Sequence, residues 1–305
     1  MSENINKIKK EIAKLKKEKD AVILAHNYQI PDIQELGDYL GDSLALAKIS
    51  TKLKEKFVVF CGVRFMAETV KILAPEKKVI LPVIDAGCPL ADTVNADQLK
   101  ELKKQHPDAW VVSYVNTSAE VKALSDVCCT SSNAVTVVKN VPTKKIIFTP
   151  DKNLGWWVAK NVPDKELILW PGYCIVHEQF SLDDLKRSKQ MHPDAQILAH
   201  PECRSEILEN SDFVLSTAGM LEQVKSSKAK KFIIGTEEGL IYQLKKQNPD
   251  KIFYSLGNAR TCINMKKTAL KDVLRAFKKE EFRIELDQAI IDKAKVALER
   301  MVSYV

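Results

Sequence analysis

The sequence predicts an α/β protein made of three similar α/β/α sandwich domains with small parallel sheets, in a pseudo-threefold arrangement around a central cavity. Three observations support this prediction: one pattern of strands and helices occurs three times, its period is 86 to 88 residues, and polar residues follow equivalent strands. Short apolar strands that alternate with helices are typical of parallel sheets covered on both faces. We place the units at residues 1–105, 106–190 and 191–305.

Each unit begins with a short apolar strand that ends in polar residues, at 22–27, 111–116 and 196–201. A helical stretch, a second short apolar segment and another helix follow, around 42–45, 129–133 and 215–219. A stronger strand at 57–62, 145–150 and 231–236 then leads into a helix, and a last strand lies at 78–81, 166–170 and 251–254. Before the first strand, Ile5, Ile8, Ile12 and Leu15 have helical spacing and predict an amphipathic helix packed on the first unit.

One cysteine follows the last strand of each unit. Cys88, Cys174 and Cys262 are separated by 86 and 88 residues, and the tetrapeptide His-Pro-Asp-Ala recurs at 106–109 and 192–195. In parallel α/β sheets, ligands bind beyond the carboxyl ends of the strands. If the units face one another around a shared axis, their loops bring three thiolates into one cavity.

Three thiolates fit a [4Fe-4S] cluster better than a zinc ion. Thiolates suit both metals, but a structural zinc ion normally has four protein ligands. The repeat supplies three, which leaves one iron open as a Lewis acid. No Cys-x-x-Cys pair or ferredoxin-type run is present, so ordinary buried cysteines are the alternative. Four other cysteines share no repeat position: Cys61, Cys128, Cys129 and Cys203. The first three lie in or directly after apolar segments and are expected to have packing roles.

Polar side chains at the strand ends could bind an anionic substrate and transfer protons. His26 and His200 are related by the repeat, and the side chains expected near them are Asn27, Tyr28, Tyr114, Asn116 and Glu202. Hydroxyl groups precede helices at equivalent places in the three units, on Ser43, Ser131 and Thr217. They could hold a carboxylate or phosphate at a helix N-terminus, or they could be ordinary N-caps.

Composition excludes several classes of protein. The net charge is +7, but the basic residues are mostly scattered lysines, so we expect no nucleic-acid partner. We expect no membrane association and a cytoplasmic location, because the sequence shows neither a signal peptide nor a membrane-spanning apolar run. Seven cysteines in such a chain predict reduced thiols, and the lack of a GxGxxG motif or P-loop argues against a nucleotide cofactor.

Several motifs, in this order and spacing, resemble the quinolinate synthase family over nearly the whole chain. They are Ala-His-Asn-Tyr-Gln at 25–29, Gly-Asp-Ser at 41–43, Phe-Met-Ala-Glu at 65–68, Tyr-Val-Asn at 114–116, Cys-Thr-Ser at 129–131, Asn-Ala-Val at 133–135, His-Pro-Glu-Cys at 200–203, Ser-Thr at 216–217 and Asn-Met-Lys-Lys at 264–267.

The resemblance implies an enzyme of NAD biosynthesis that condenses iminoaspartate with dihydroxyacetone phosphate to quinolinate, phosphate and water. It implies a functional link to the enzyme that supplies iminoaspartate, and a [4Fe-4S] cluster with one open iron site on Cys88, Cys174 and Cys262. The implied catalytic residues are Tyr28, Glu202, His26 and His200. The implied substrate-binding residues are His26, Ser43, Tyr114, Asn116, Ser131, His200, Pro201, Glu202 and Thr217.

Two other functions are compatible with these residues. An aconitase-like iron-sulfur hydro-lyase would dehydrate a hydroxy acid without condensation. A non-enzymatic three-domain protein would bind an anion in the cavity and use the cysteines for a structural metal or for none. Dependence on dihydroxyacetone phosphate separates the first alternative from the condensing enzyme, and the brown colour of a cluster separates the second.

Overall fold

Three separate parallel sheets of four strands each form the framework of the computed structural model, which describes residues 2–304. The first sheet, in the order β2-β1-β3-β4, contains β1 (Ala21–His26), β2 (Tyr39–Gly41), β3 (Phe57–Cys61) and β4 (Lys78–Ile80). The second, in the order β6-β5-β7-β8, contains β5 (Trp110–Tyr114), β6 (Val127–Cys129), β7 (Lys145–Thr149) and β8 (Glu166–Leu169). The third, in the order β10-β9-β11-β12, contains β9 (Gln196–Ala199), β10 (Phe213–Val214), β11 (Lys231–Gly235) and β12 (Ile252–Ser255).

Helices connect and cover the strands. Those before and around the first sheet are α1 (Ser2–Glu18), α2 (Pro31–Leu36), α3 (Ser43–Ser50) and α4 (Arg64–Leu73). Those around the second sheet are α5 (Ala96–Gln105), α6 (Ala119–Lys122), α7 (Ala134–Asn140) and α8 (Lys152–Asn161). The remaining helices are α9 (Leu182–Met191), α10 (Ser205–Leu208), α11 (Thr217–Ser226), α12 (Gly239–Gln247), α13 (Leu270–Lys279) and α14 (Gln288–Ser303).

The predicted fold class is confirmed. All strand pairs within the sheets are parallel, and each sheet has the same order of strands relative to the chain. Strands β1 and β3 are buried at every residue, as expected for a sheet that helices cover on both faces. We refer to the three sheets, with their loops, as the first, second and third units.

The same polar contacts recur in the three units. The aspartate before the second strand of each sheet accepts a hydrogen bond from the first strand: Asp38 from Ile23 N at 2.8 Å, Asp126 from Val111 N at 2.8 Å and Asp212 from Ile197 N at 2.7 Å. A lysine near the start of each fourth strand donates to two backbone carbonyls: Lys77, Lys165 and Lys251. These lysines satisfy carbonyl groups that would otherwise lack a partner in the loops.

The amphipathic N-terminal helix is also confirmed. Ile12 is fully buried, and Ile5, Ile8 and Leu15 pack against a core that includes strands β1 and β3. Helix α1 also contacts α13, whereas α14 contacts α4, α6 and strand β6. Helices from the end of the chain thus pack on the first two units, and the unit boundaries at 105/106 and 190/191 stay a prediction. Within residues 2–304, no helix has the length and apolar character needed to cross a membrane.

Candidate active site

The three units share a cavity of about 70 Å³. Its walls consist largely of residues at or after the carboxyl ends of strands, such as His26 after β1, Tyr114 at the end of β5 and His200 after β9. This is where parallel α/β sheets bind ligands. The cavity is therefore the candidate active site.

Cys88, Cys174 and Cys262 all line this cavity. Each begins a single helical turn, because its carbonyl oxygen accepts a hydrogen bond from the N–H group four residues later. The donors are Asp92 N at 3.2 Å, Glu178 N at 2.9 Å and Lys266 N at 3.2 Å. The three cysteines thus have the same local backbone geometry in three separate units.

The chemistry of these donors fits an iron-sulfur cluster. All seven cysteines are free thiols, and three from different units face one cavity. Burial raises the pKa of Cys88 to about 12 and also raises the pKa of Cys174 and Cys262. Thiolates therefore form here when a bound metal supplies compensating positive charge.

The other four cysteines pack in the hydrophobic cores, as predicted for Cys61, Cys128 and Cys129. Cys61, Cys128, Cys129 and Cys203 are fully buried in the hydrophobic cores, and they lie outside the cavity wall.

A second group of possible metal donors adjoins Cys174. Cys174 Sγ, His177 Nδ1 and a Glu202 oxygen lie within 4.8 Å of one another. His177 Nδ1 is 3.2 Å from Cys174 Sγ and 2.9 Å from Glu202 Oε2. Because the imidazole and the carboxylate already contact each other, we interpret them as an acid/base pair beside Cys174.

His177 also belongs to a chain of hydrogen bonds that reaches Tyr28. Its Nε2 is 2.9 Å from Thr236 Oγ1, which is 2.6 Å from the hydroxyl of Tyr28. These groups are buried and come from all three units. Burial raises the pKa of Tyr28, and the nearby Glu202 carboxylate adds to the increase, so the phenol stays protonated near neutral pH. Through His177 Nδ1, the chain of contacts continues to Glu202.

Glu202 lies between two imidazoles. Its Oε2 is 2.9 Å from His177 Nδ1 and 3.2 Å from His200 Nδ1. Burial alone would raise the pKa of Glu202, but the two histidines outweigh burial and lower that pKa below its usual value. Glu202 is therefore ionised near neutral pH.

His26 and His200 occupy matching positions in the first and third units. Each Nδ1 lies near the N–H group two residues later: His26 is 3.2 Å from Tyr28 N, and His200 is 3.4 Å from Glu202 N. Burial lowers the pKa of His26 to about 4 and is also the main cause of the lowered pKa of His200. Neutral imidazoles of this kind can present Nε2 to a ligand.

Ser43 and Thr217, two of the predicted hydroxyl residues, do not cap the helices that they precede in the prediction. Ser43 and Thr217 are the first residues of α3 and α11, and the capping side chains are those of Asp42 and Ser216. Asn27 Nδ2 donates to Thr217 Oγ1 at 3.0 Å. The interpretation of Ser43 and Thr217 as ordinary N-caps is therefore wrong, and both line the cavity.

The structure brings the predicted site residues together with two exceptions. Pro201 is buried between His200 and Glu202, Asn27 lies behind Thr217, to which it donates a hydrogen bond, and neither lines the cavity. The predicted residues that line it are His26, Tyr28, Ser43, Cys88, Tyr114, Asn116, Ser131, Cys174, His200, Glu202, Thr217 and Cys262. Their individual roles stay predictions.

Sequence reasoning missed some polar residues of the site. His177 was detectable from its position three residues after Cys174, a spacing common among paired metal-site side chains. Asp42, Thr130 and Glu237 also line the cavity, and Thr236 connects Tyr28 to His177. Asp42 and Thr130 belong to the Gly-Asp-Ser and Cys-Thr-Ser motifs, although no role was predicted for either side chain. No local pattern distinguishes Thr236 and Glu237, because most of their partners are distant in sequence.

Comparison with known proteins gives consistent matches over the whole chain. Residues 10–303 match the family model described as "Quinolinate synthetase A protein". A protein named quinolinate synthase from Caldicellulosiruptor bescii is 53% identical over 299 residues, which are 98% of this chain and 99% of that protein. Its namesake from Thermodesulfovibrio yellowstonii is 50% identical over 301 residues, 99% of each chain. That from Clostridium perfringens is 52% identical over 294 residues, 96% of this chain and 98% of the relative.

Proposed function

This chain belongs to the quinolinate synthetase A protein family of NAD biosynthesis, and from that premise we propose that it condenses iminoaspartate with dihydroxyacetone phosphate in the shared cavity. The products are quinolinate, phosphate and water. One observation carries the assignment of the site: a cysteine from each of three units lines the cavity that also contains Tyr28 and Glu202.

The family uses a [4Fe-4S] cluster, and Cys88, Cys174 and Cys262 are the residues that would hold it here. When bound, the cluster supplies a Lewis acid at an iron without a protein ligand, which polarises a substrate oxygen. A site with three protein thiolates suits this role because the fourth iron keeps an open position.

Proton transfer is assigned to the residues around Glu202. The reaction requires protons to be removed from carbon and nitrogen and delivered to leaving oxygens. Ionised Glu202 can accept a proton, and protonated Tyr28 can donate one. The contacts through Thr236 and His177 allow both groups to return to their starting states between steps.

Substrate anions are assigned to other polar groups that line the cavity. Ser43 and Thr217 lie at the start of α3 and α11, where free backbone N–H groups and the helix dipole favour a carboxylate or phosphate. Asn116 places its Nδ2 3.5 Å from Glu202 Oε1, and its buried Oδ1 has no protein partner among the described residues. A substrate N–H or O–H group could satisfy that oxygen.

The two alternatives receive no support from the comparisons, since the curated relatives named above are called quinolinate synthase. A hydro-lyase would act on a single hydroxy acid and would need no triose phosphate. An anion-binding protein would have no use for the acid/base pair beside Cys174.

The experiment is anaerobic purification of the wild type and of Cys88→Ala, Cys174→Ala and Cys262→Ala, with Cys128→Ala as the matched control. Cys128 is also a free thiol, but it is fully buried in the hydrophobic core and lies outside the cavity. Iron, sulfide, the visible spectrum and quinolinate formation are measured, with and without dihydroxyacetone phosphate. We expect the three cavity variants to lose cluster and product while the control keeps both. A colourless wild type, or product formation without the triose phosphate, would contradict the proposal.

A further inference from the structure

A repeated backbone contact fixes the loop before each cluster cysteine. After the third strand of each sheet, one N–H group donates to the carbonyl two residues before the cysteine. These bonds are Arg64 N to Ala86 O at 2.9 Å, Lys152 N to Gly172 O at 2.8 Å and Glu238 N to Arg260 O at 3.0 Å. The residues directly before the donors, Val63, Asp151 and Glu237, are therefore structurally equivalent.

Asp151 is fully buried and binds two backbone N–H groups. Its Oδ1 accepts from Leu154 N at 2.7 Å and caps helix α8, and its Oδ2 accepts from Cys174 N at 3.1 Å. The carboxyl group thus engages the N–H of a cluster ligand directly.

Glu237 makes the equivalent contact in the third unit. It is also fully buried, and its Oε1 accepts from Cys262 N at 3.1 Å while Oε2 accepts from Gly239 N at 2.7 Å. Lys266 Nζ lies 2.8 Å from the same Oε1. An aspartate and a glutamate at equivalent positions therefore both accept the backbone N–H of a cavity cysteine.

The first unit lacks this contact. Val63 occupies the equivalent position, and no side chain caps the start of α4. For residues 2–304, the hydrogen bonds of the structure include no acceptor for the N–H of Cys88. The three cysteines thus differ in the partner of the backbone N–H group. Carboxyl oxygens accept from Cys174 N and Cys262 N, whereas Cys88 N has no acceptor among the described residues.

We propose that Asp151 and Glu237 are positioning residues: by accepting the Cys174 and Cys262 N–H groups, they would make these donors unavailable to a cluster held by the three cysteines and would favour its oxidised state. This inference rests on the proposed function. Hydrogen bonds to cluster sulfurs and the local charge set the reduction potential of iron-sulfur clusters. Occupied N–H groups cannot stabilise the added electron, so the potential falls. A low potential suits a cluster that polarises a substrate and does not transfer electrons.

Amide variants remove this contact, and Glu237→Gln also removes the negative charge that pairs with Lys266. A carboxylate has two acceptor oxygens and an amide has one. In Asp151→Asn and Glu237→Gln, that oxygen is expected to keep the shorter bond, to Leu154 N or Gly239 N at 2.7 Å. The amide NH₂ group then faces the cysteine N–H, and two donors oppose each other. The capping of α8 persists, because Asn caps helices about as well as Asp.

Asp272→Asn is the matched control. Asp272 is also buried and accepts a backbone N–H, from Ala269 at 3.0 Å at the start of α13, but it does not line the cavity. The control therefore carries the same chemical change away from the cluster.

The experiment is an anaerobic reductive titration of the intact enzyme followed by electron paramagnetic resonance, together with the rate of iron loss to a chelator. We expect both variants to raise the midpoint potential and to lose iron roughly 10- to 100-fold faster, as is typical when the groups that orient metal ligands are changed. The control should behave as the wild type. Glu237→Gln provides an independent test if Asp151→Asn does not fold.

The two proposals fail in different ways. If the wild type binds no cluster, the proposed function is wrong. If the wild type binds it and the variants have the wild-type potential and iron-loss rate, only the role of Asp151 and Glu237 is wrong. A lower melting temperature without a change in potential would reduce both residues to a purely structural role and would also overturn the inference.

Discussion

Replacing Thr236 with valine tests the proton path most directly. Thr236 is 1% exposed, and its Oγ1 lies 2.6 Å from the Tyr28 hydroxyl and 2.9 Å from His177 Nε2. Valine has nearly the same shape but no hydroxyl, so two buried polar groups lose their partner while the packing changes little. Thr236→Ser is the matched control, because it keeps the oxygen and removes one methyl group.

The magnitudes follow from these contacts. A buried polar group without a partner costs about 1–3 kcal/mol, so two such groups lower the free energy of unfolding by about 2–6 kcal/mol. The serine control should lose about 1 kcal/mol for the methyl group. If the path carries protons, turnover in the valine variant should fall by roughly 10²- to 10⁴-fold, the usual contribution of general acid/base catalysis.

The assay is anaerobic quinolinate formation, normalised to the iron content of each variant, with denaturant unfolding measured in parallel. Normalisation separates a damaged proton path from a lost cluster. If the valine and serine variants turn over at equal rates with equal iron content, protons do not pass through Thr236, and the path from Tyr28 to His177 has to be abandoned.

Two further predictions concern Glu202 and the buried histidines. Glu202→Gln keeps an acceptor next to His177 but cannot take a proton, so quinolinate formation should fall by roughly 10²-fold or more with the cluster intact; full turnover with normal iron content would remove Glu202 from the mechanism. The pKa of His26 falls from 6.5 to about 4 on burial, so between these pH values only the unfolded chain binds the proton. Stability should therefore decline on acidification through this range, by up to about 3 kcal/mol for this residue. Denaturant unfolding at a series of pH values measures this decline in stability. If a His26→Asn variant has the same pH dependence as the wild type, the decline does not come from His26.

Periodicity in the sequence was enough to determine the fold class and the cysteines that share the cavity. Three repeats of short apolar strands require the same small parallel sheet three times, because each strand is too apolar to remain exposed. The common period of Cys88, Cys174 and Cys262 then places them at equivalent loop positions. The same repeat places His26 and His200 at equivalent strand ends.

Contacts between units were decided by the tertiary structure. The proton path joins Tyr28 and Thr236 to His177, and these residues are far apart in sequence. Likewise, Asp151 and Glu237 differ in type and in side-chain length, and only the backbone bonds beside them show that they are equivalent to each other and to Val63.

The physical reason is that a strand or helix pattern depends on neighbouring residues, whereas the site depends on how three sheets pack against one another. Helices α13 and α14 follow the third sheet in the chain but pack on parts of the first two units. The sequence by itself determined that three similar units exist and which cysteine each contributes. The packing of those units decided which acid, base and hydroxyl groups meet beside the cysteines.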